Sequence, residues 1–300
     1  MFAQLKNYCK KNNIICKENE PMSLHTTFKI GGNADLFVCV KNKEELKEVL
    51  KITKEENIPL FVIGLGSNLL VSDNGISGVV VSLEEMKEIK KEDNAVTAQA
   101  GAALSKVCTF AQMNSLGGLE FAFGIPGSVG GALYMNAGAY GGEIKDVVLA
   151  AECINENGEI IMLTKDEMQL GYRTSVFKSK NYIIISATFG LESKDSQKIM
   201  AEMEDYASRR REKQPLEYPS AGSTFKRPTG YFAGALIEQN GLKGFSVGGA
   251  EVSQKHAGFV INKGEATAYD VKTLINEVAK KVYENNGVKL EPEVIFVGRE

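Results

Sequence analysis

The sequence predicts an α+β protein of about two domains, on three observations. Its 300 residues exceed what one small core needs. The first 83 residues alternate strand and helix patterns. Beyond them the apolar runs shorten and are joined by turn residues, and near residue 200 the texture shifts again to glycine-rich loops.

The elements follow in order. Residues 2–12 read as a short surface helix, Ala34–Val40 (ADLFVCV) as a strand and Lys43–Glu56 as a charged amphipathic helix. Pro59–Ile63 is a second strand that stops abruptly at GLGSN, and Gly78–Leu83 (GVVVSL) is a third. Glu88–Gly101 reads as a hairpin around Glu92, Asp93 and Asn94, and Ala103–Ser115 as a helix. Val147–Ile154 and Glu159–Leu163 are strands joined by the turn Asn155–Gly158. Tyr182–Phe189 (YIIISATF) is a buried strand. Asp195–Arg211 is a long helix that ends before Pro215, and its Arg209, Arg210 and Arg211 suit a helix C-terminus. A helix near Phe232–Gln239, a strand Gly258–Asn262, a helix Ala268–Asn285 and a strand Val294–Val297 close the chain. The first domain is expected over 1–200, in subdomains of about 1–83 and 84–200, and the second over 201–300.

Composition excludes several classes. The formal net charge of −3 gives nucleic acid no footprint, though a local positive pocket can still hold an anion. The five cysteines, Cys9, Cys16, Cys39, Cys108 and Cys153, are odd in number and form no CxxC, which argues against a disulfide framework and a thiolate zinc site. With only His25 and His256, no metal site is expected. The N-terminus has lysines where a signal peptide needs an apolar run, and no run approaches the ~20 residues of a membrane span. A cytoplasmic protein without membrane or obligate protein partner is expected.

Two glycine-bearing stretches carry the chemistry. IGLGSNLL, Ile63–Leu70, follows a strand, but Leu69 breaks the dinucleotide fingerprint and no Gly-Lys-Ser/Thr follows. Alone it reads equally as a tight turn. GIPGSVGGALYMNAGAYGG, Gly124–Gly142, holds seven glycines in nineteen residues. So many glycines are expected where backbone approaches something closely or takes positive φ. Together the two loops suggest a dinucleotide whose pyrophosphate is wrapped by backbone amides. Arg173 in GYRTSVFKSKNY reads on its own as a solvated loop arginine, and Ser223 in PSAGSTFKRP as a turn residue without a G-x-S-x-G elbow. LEPEV places Glu291 and Glu293 on one face of an extended segment, and spacing does not choose between them.

In order along the chain, GLGSNLLVSDNGISGVVV, GIPGSVGGALYMNAGAYGGEIKDVV, YRTSVFK, AGSTFKRP, GLKGFSVGGAEVSQKHAGFVIN and LEPEV resemble the UDP-N-acetylenolpyruvoylglucosamine reductase family, from about Thr26 to Gly298. The resemblance implies a p-cresol methylhydroxylase-type FAD-binding domain of two α/β subdomains, followed by an α+β substrate-binding domain. It implies FAD and NADPH as cofactors and UDP-N-acetylglucosamine enolpyruvate as the small-molecule substrate, reduced to UDP-N-acetylmuramate for peptidoglycan.

It also implies Arg173, Ser223 (the proton donor) and Glu293 as catalytic residues. FAD contacts are implied at Gly64, Leu65, Gly66, Ser67, Asn68 and Leu69, and at Gly124, Ile125, Pro126, Gly127, Ser128, Gly131, Ala132, Asn136, Gly138 and Ala139. Substrate contacts are implied at Tyr140, Tyr172, Lys213, Arg227 and His256. Arg227 stands where the best-known form of the family has asparagine, and His256 where it has glutamine. Only Ser179, Lys180 and Asn181 separate Lys178 from Tyr182, so the chain resembles the shorter type that lacks the tyrosine lid. The alternatives are a flavin oxidase of the same superfamily and a sugar-nucleotide-binding module without redox chemistry.

Overall fold

Val79, Val80 and Val81 are all fully buried, as a strand covered on both faces requires. They lie in a four-stranded sheet ordered Ile15–Pro21, Asn33–Cys39, Ile76–Ser82, Leu60–Ile63, in which Leu60 pairs with Val79 in parallel. The helix Lys43–Glu55 starts where the Asn42 side chain accepts from the Glu45 N–H at 2.8 Å. It buries Leu46, Val49 and Ile52 at the spacing of one helical face. A second, antiparallel sheet runs in the order Ile160–Thr164, Val148–Ile154, Ile183–Gly190, Ala95–Gln99, Ile89–Glu92. Its central strand Ile183–Gly190 sets Ala187 between Ala151 and Ala98, and all three alanines are buried.

The computed structural model describes residues 2–300. Chain contacts divide it into two compact units. The first comprises the residues up to Lys17, Leu36–Leu65 and Gly78–Arg210. The second comprises Glu18–Asp35, Gly66–Ser77 and Arg211–Glu300. The second unit is therefore threaded from three pieces, where the sequence reading has one break near residue 200. Parallel pairing of Leu69–Val71 with Ile295–Val297 joins two of those pieces. No local pattern announces a pair so far apart in sequence.

Two expectations of local structure change. The stretch 124–142, read as a glycine-rich loop, contains the helix Val129–Met135. Glycine disfavours a helix, but burial of Val129, Ala132 and Leu133 overrides that preference. The strand Ile15–Pro21 was not read at all, because its ICKENEP sequence lacks a regular apolar alternation and is mostly exposed.

The second unit has its own core. The helix Ala268–Asn286 buries Val271, Leu274, Ile275, Val278 and Val282 in one cluster with Ala250, Val252 and Val260 of a three-stranded sheet. No helix among the described residues is long and apolar enough to cross a membrane.

The N-terminus of that helix is capped twice. Thr267 and Asp270 form a capping box. Asp73, from a different segment of the same unit, accepts from the N–H groups of Ala268 at 2.8 Å and Tyr269 at 3.0 Å. Asp73→Ala is expected to lower unfolding stability by about 1–2 kcal/mol, and Asp73→Asn by about half of that, since one oxygen acceptor survives. Denaturant unfolding of the three proteins measures both.

Candidate functional site

Within the first unit the glycine loops meet. A Cβ on Gly64 would lie 2.2 Å from Ser128 Oγ, so the end of one loop packs against the helix cap of the other. Ser128 is buried, and its Oγ accepts from the Gly131 N–H at 3.3 Å. The other amides that open this helix are also committed. Val129 N–H donates to Ala102 O at 2.9 Å and Gly130 N–H to Ala100 O at 2.8 Å. The helix therefore has no amide to spare for a phosphate in its first turn.

The loop after Leu60–Ile63 differs. Among the described residues, no backbone bond takes the N–H groups of Leu65, Gly66 or Ser67. Gly66 has φ +59, and a Cβ there would lie 2.0 Å from His25 O. Glycine at this position is thus required by the chain's own packing as well as by its conformation. The unspent amides fit the wrapping of a pyrophosphate, which makes 65–67 the better candidate of the two loops for that group.

Gly124 serves a neighbour of its own. Its missing Cβ leaves room for Arg210, whose Nε would lie 2.8 Å from it. The Arg210 Nε is buried and has no hydrogen-bond partner among the described residues. Burial pushes the Arg210 pKa below the usual arginine value, opposed by its interaction with Tyr140. The run of three arginines reads in the sequence as a solvated helix end; only burial singles out the middle one. Tyr140 itself takes φ +54, stacks on Tyr206 at 4.6 Å and donates its hydroxyl to Tyr206 O at 3.2 Å.

Arg173 sits at the tip of a tight turn closed by Gly171 and Thr174, each donating its N–H to the other's carbonyl, at 3.0 and 3.2 Å. It takes φ +54, unusual for a residue with a side chain. Lys178 Nζ donates to its carbonyl at 2.8 Å, and its guanidinium lies 5.2 Å from the centre of the Tyr172 ring. Asn136, expected as a cofactor contact, proves fully buried, with its side-chain amide bonded to Glu143, Gly171 and Lys145.

In the second unit, Ser223 and Glu293 stand on paired segments. Phe225 bridges Pro292, Lys226 N–H donates to Glu291 O at 2.8 Å, and Glu293 N–H donates to Thr224 O at 2.8 Å. That register opposes Glu293 to Thr224, the residue that follows Ser223. It also separates the two glutamates: Glu291 is exposed and ion-paired to Lys226 at 3.3 Å, whereas Glu293 is half-buried. Gly222 takes φ +75 just before Ser223, which is exposed.

The remaining expected contacts lie in the same unit. Lys213 ends the helix Ser196–Lys213 and is exposed. The Arg227 guanidinium lies 4.0 Å from the centre of the Phe232 ring. His256 Nδ1 accepts from the Gly258 N–H at 3.1 Å, which assigns its proton to Nε2, and the ring packs edge-on to Phe259 at 5.0 Å. Among the described residues, no group of three or more His, Cys, Asp or Glu side chains can hold a metal ion.

Known proteins match this arrangement. Residues 34–164, which span both glycine loops, match an FAD binding domain. Residues 214–297 match the C-terminal domain of UDP-N-acetylenolpyruvoylglucosamine reductase. The reductase of that name from Clostridium perfringens is 54% identical over 94% of this chain and 93% of its own length. That from Caldanaerobacter subterraneus subsp. tengcongensis is 49% identical over 99% of this chain and 98% of its own. The crystal structure of the Thermus caldophilus reductase superposes with a TM-score of 0.81 at 33% identity, covering 94% of this chain and 99% of that one.

Burial pushes the His256 pKa below its ordinary value of 6.5; its backbone hydrogen bond and Glu238 pull it up, and Lys243 pushes it further down. The unfolded chain therefore binds this proton more readily than the folded one. The stability that a neutral His256 contributes is present above about pH 6.5 and is lost as pH falls below it. In His256→Gln that loss disappears. The difference in Tm between wild type and variant is expected to move toward the variant between pH 7.5 and pH 5. A constant difference across that range would show the shift to be absent.

Proposed function

The chain belongs to the UDP-N-acetylenolpyruvoylglucosamine reductase family, and from that premise we propose how its residues divide the work. The protein is an FAD-dependent oxidoreductase that reduces the enolpyruvyl ether of UDP-N-acetylglucosamine during peptidoglycan synthesis. When bound, FAD supplies hydride transfer from NADPH to the enolpyruvyl methylene carbon. We assign FAD binding to the stretch 34–164, with the amides of 65–67 in it, and read 214–297 as the substrate-binding domain. A reducing cytosol suits the five cysteines, all of them free thiols.

Hydride addition leaves negative charge on the carbon next to the substrate carboxylate. Arg173 stabilises that charge through its planar fork, carried on a turn whose backbone is closed by hydrogen bonds. Such an enolate is basic enough to take a proton from a weak acid, so the Ser223 hydroxyl suffices as donor. Glu293, on the paired segment, is the carboxyl group on the proton-donating side, and Lys213 neutralises a substrate phosphate. The observation that supports these roles is the pairing of Thr224 with Glu293, which brings the segment of Ser223 against that of Glu293 and leaves the other glutamate to Lys226. Tyr140, Tyr172, Arg227 and His256 are the further residues that we assign to substrate contacts. The short connection 180–182 between the helix Val176–Ser179 and the strand Ile183–Gly190 supports assigning this chain to the shorter type without the tyrosine lid.

Proton donation matters only after hydride has reached the substrate. Ser223→Ala should leave reduction of the flavin by NADPH nearly intact and slow reoxidation by the enolpyruvyl substrate ~10²–10⁴-fold. Ser223→Cys should recover part of that loss. Stopped-flow traces at the flavin band read the two steps separately, and equal slowing of both would make Ser223 a turn residue only.

Lys213→Ala should raise the substrate KM with little change in kcat, the pattern of lost uniform binding. The effect should fade with added salt, which screens so exposed a charge. An unchanged KM at low salt would remove Lys213 from the site.

A further inference from the structure

Asn136 is 0% exposed and ends the helix Val129–Met135 in the left-handed conformation, with φ 43 and ψ 59. Asparagine tolerates that backbone better than most residues, which explains its position but not its side chain. The side-chain amide is committed to the protein. Nδ2 donates to Glu143 Oε2 and to Gly171 O, each at 3.0 Å, and Oδ1 accepts from the Lys145 N–H at 2.9 Å. Both amide hydrogens are used, so the side chain has no donor left for a cofactor.

What those bonds reach is the turn that carries Arg173. Gly171 O is one end of its closure, and Asn136 gives that carbonyl a second donor. Just beyond the turn, Ser175 Oγ donates to Tyr134 O at 2.7 Å, so the helix Val129–Met135 and its cap hold the turn from both sides. Glu143, held by Asn136 and ion-paired to Lys145 at 2.8 Å, has its pKa pushed down first by Lys145, and the charge of Arg173 contributes. The φ of +54 at Arg173 is a conformation that persists only where the surroundings over-determine it.

We propose that Asn136 is a positioning residue for Arg173: it ties the end of the glycine-rich segment to the arginine's turn and holds Glu143 beside it. The inference rests on the catalytic reading of Arg173 and deepens it. A fixed guanidinium contributes where charge develops, and a small misplacement of such a group costs up to about 100-fold. Losing the brace therefore harms the step that Arg173 serves and spares cofactor binding.

Asn136→Gly retains the left-handed backbone and deletes all three bonds. Asn136→Asp is isosteric, tolerates the same backbone, and replaces the donor to Gly171 O by an acceptor facing Glu143. The measurements are FAD dissociation constant, flavin reduction by NADPH, and flavin reoxidation by the enolpyruvyl substrate, each also made on Arg173→Lys and on the double variant. For either Asn136 variant, FAD affinity and flavin reduction are expected to stay within about threefold of wild type, with reoxidation slowed about 10- to 100-fold. The double variant should be little slower than Arg173→Lys alone, because residues that act as a unit are not additive.

Weakened FAD binding with normal reoxidation at saturating FAD would make Asn136 a cofactor contact and overturn the proposal. Fully additive losses, equal slowing of both half-reactions, or no slowing in the variant that folds would overturn it as well. Unchanged reoxidation in Arg173→Lys would instead strike the catalytic reading of Arg173, and the brace would then have no catalytic group to position.

Discussion

The second unit depends on Thr224. This residue is 1% exposed and makes three bonds to two other segments. Its N–H donates to Gly258 O at 2.8 Å, its hydroxyl accepts from the Val260 N–H at 2.9 Å, and its carbonyl accepts from the Glu293 N–H at 2.8 Å. Buried polar groups left unbonded are costly, so these bonds fix register as well as adding stability. A one-residue slip would turn Glu291 and Glu293 together to the other face and set Pro292 or Val294 opposite Thr224. The neighbours on either side gain from the same anchor: exposed Ser223 is held at its C-terminal side, and Phe225 is buried in the core.

Glycine plays a comparable part in the first unit, for a reason other than the one its abundance suggests. Close approach is real at Gly64, Gly124 and Gly142. The atoms approached are Ser128 Oγ, the Arg210 side chain and the Phe121 ring, each within 3 Å of where a Cβ would stand. Much of the glycine in 124–142 therefore lets the chain fold back on itself. A glycine-rich loop is therefore no count of cofactor contacts.

Most helices, and the longer strands other than Ile15–Pro21, were legible because burial repeats along them. Ile183–Gly190 alternates buried and half-buried residues through most of its length, and the helix Ala268–Asn286 is apolar at helical spacing. What stayed hidden has physical causes. The helix Val129–Met135 is weak by propensity and exists through packing. Ser246–Val247 and Ala250–Val252 are too short to show a period. At the site, the sequence offered Arg173, Ser223 and a pair of glutamates, but their neighbours were out of reach. Lys226 separates the glutamates from sixty-five positions away. Asn136 stands thirty-five residues before the carbonyl it holds. The resemblance to a family supplied roles; it could not supply partners that appear only once the chain folds.

Arg210 and Tyr140 show how a residue's contacts limit what it can offer a ligand. Tyr140 was expected to meet the substrate, and 39% of its surface is exposed. Its hydroxyl proton is already given to Tyr206 O, one face of its ring lies against Tyr206, and Arg210 stands 5.9 Å from the ring centre. A ring held in this way loses little further freedom when a ligand binds, which favours affinity. With its proton spent, what it could offer a ligand is its ring and the lone pairs of its oxygen. Arg210 accepts a desolvated guanidinium and an unpartnered Nε in that arrangement. A buried polar atom of this kind is tolerated only where something else over-determines its place. Here the space left by Gly124 on one side and the Tyr140 ring on the other do so. The rigidity of this aromatic and guanidinium group is thus set by the chain's own packing, before any ligand is present.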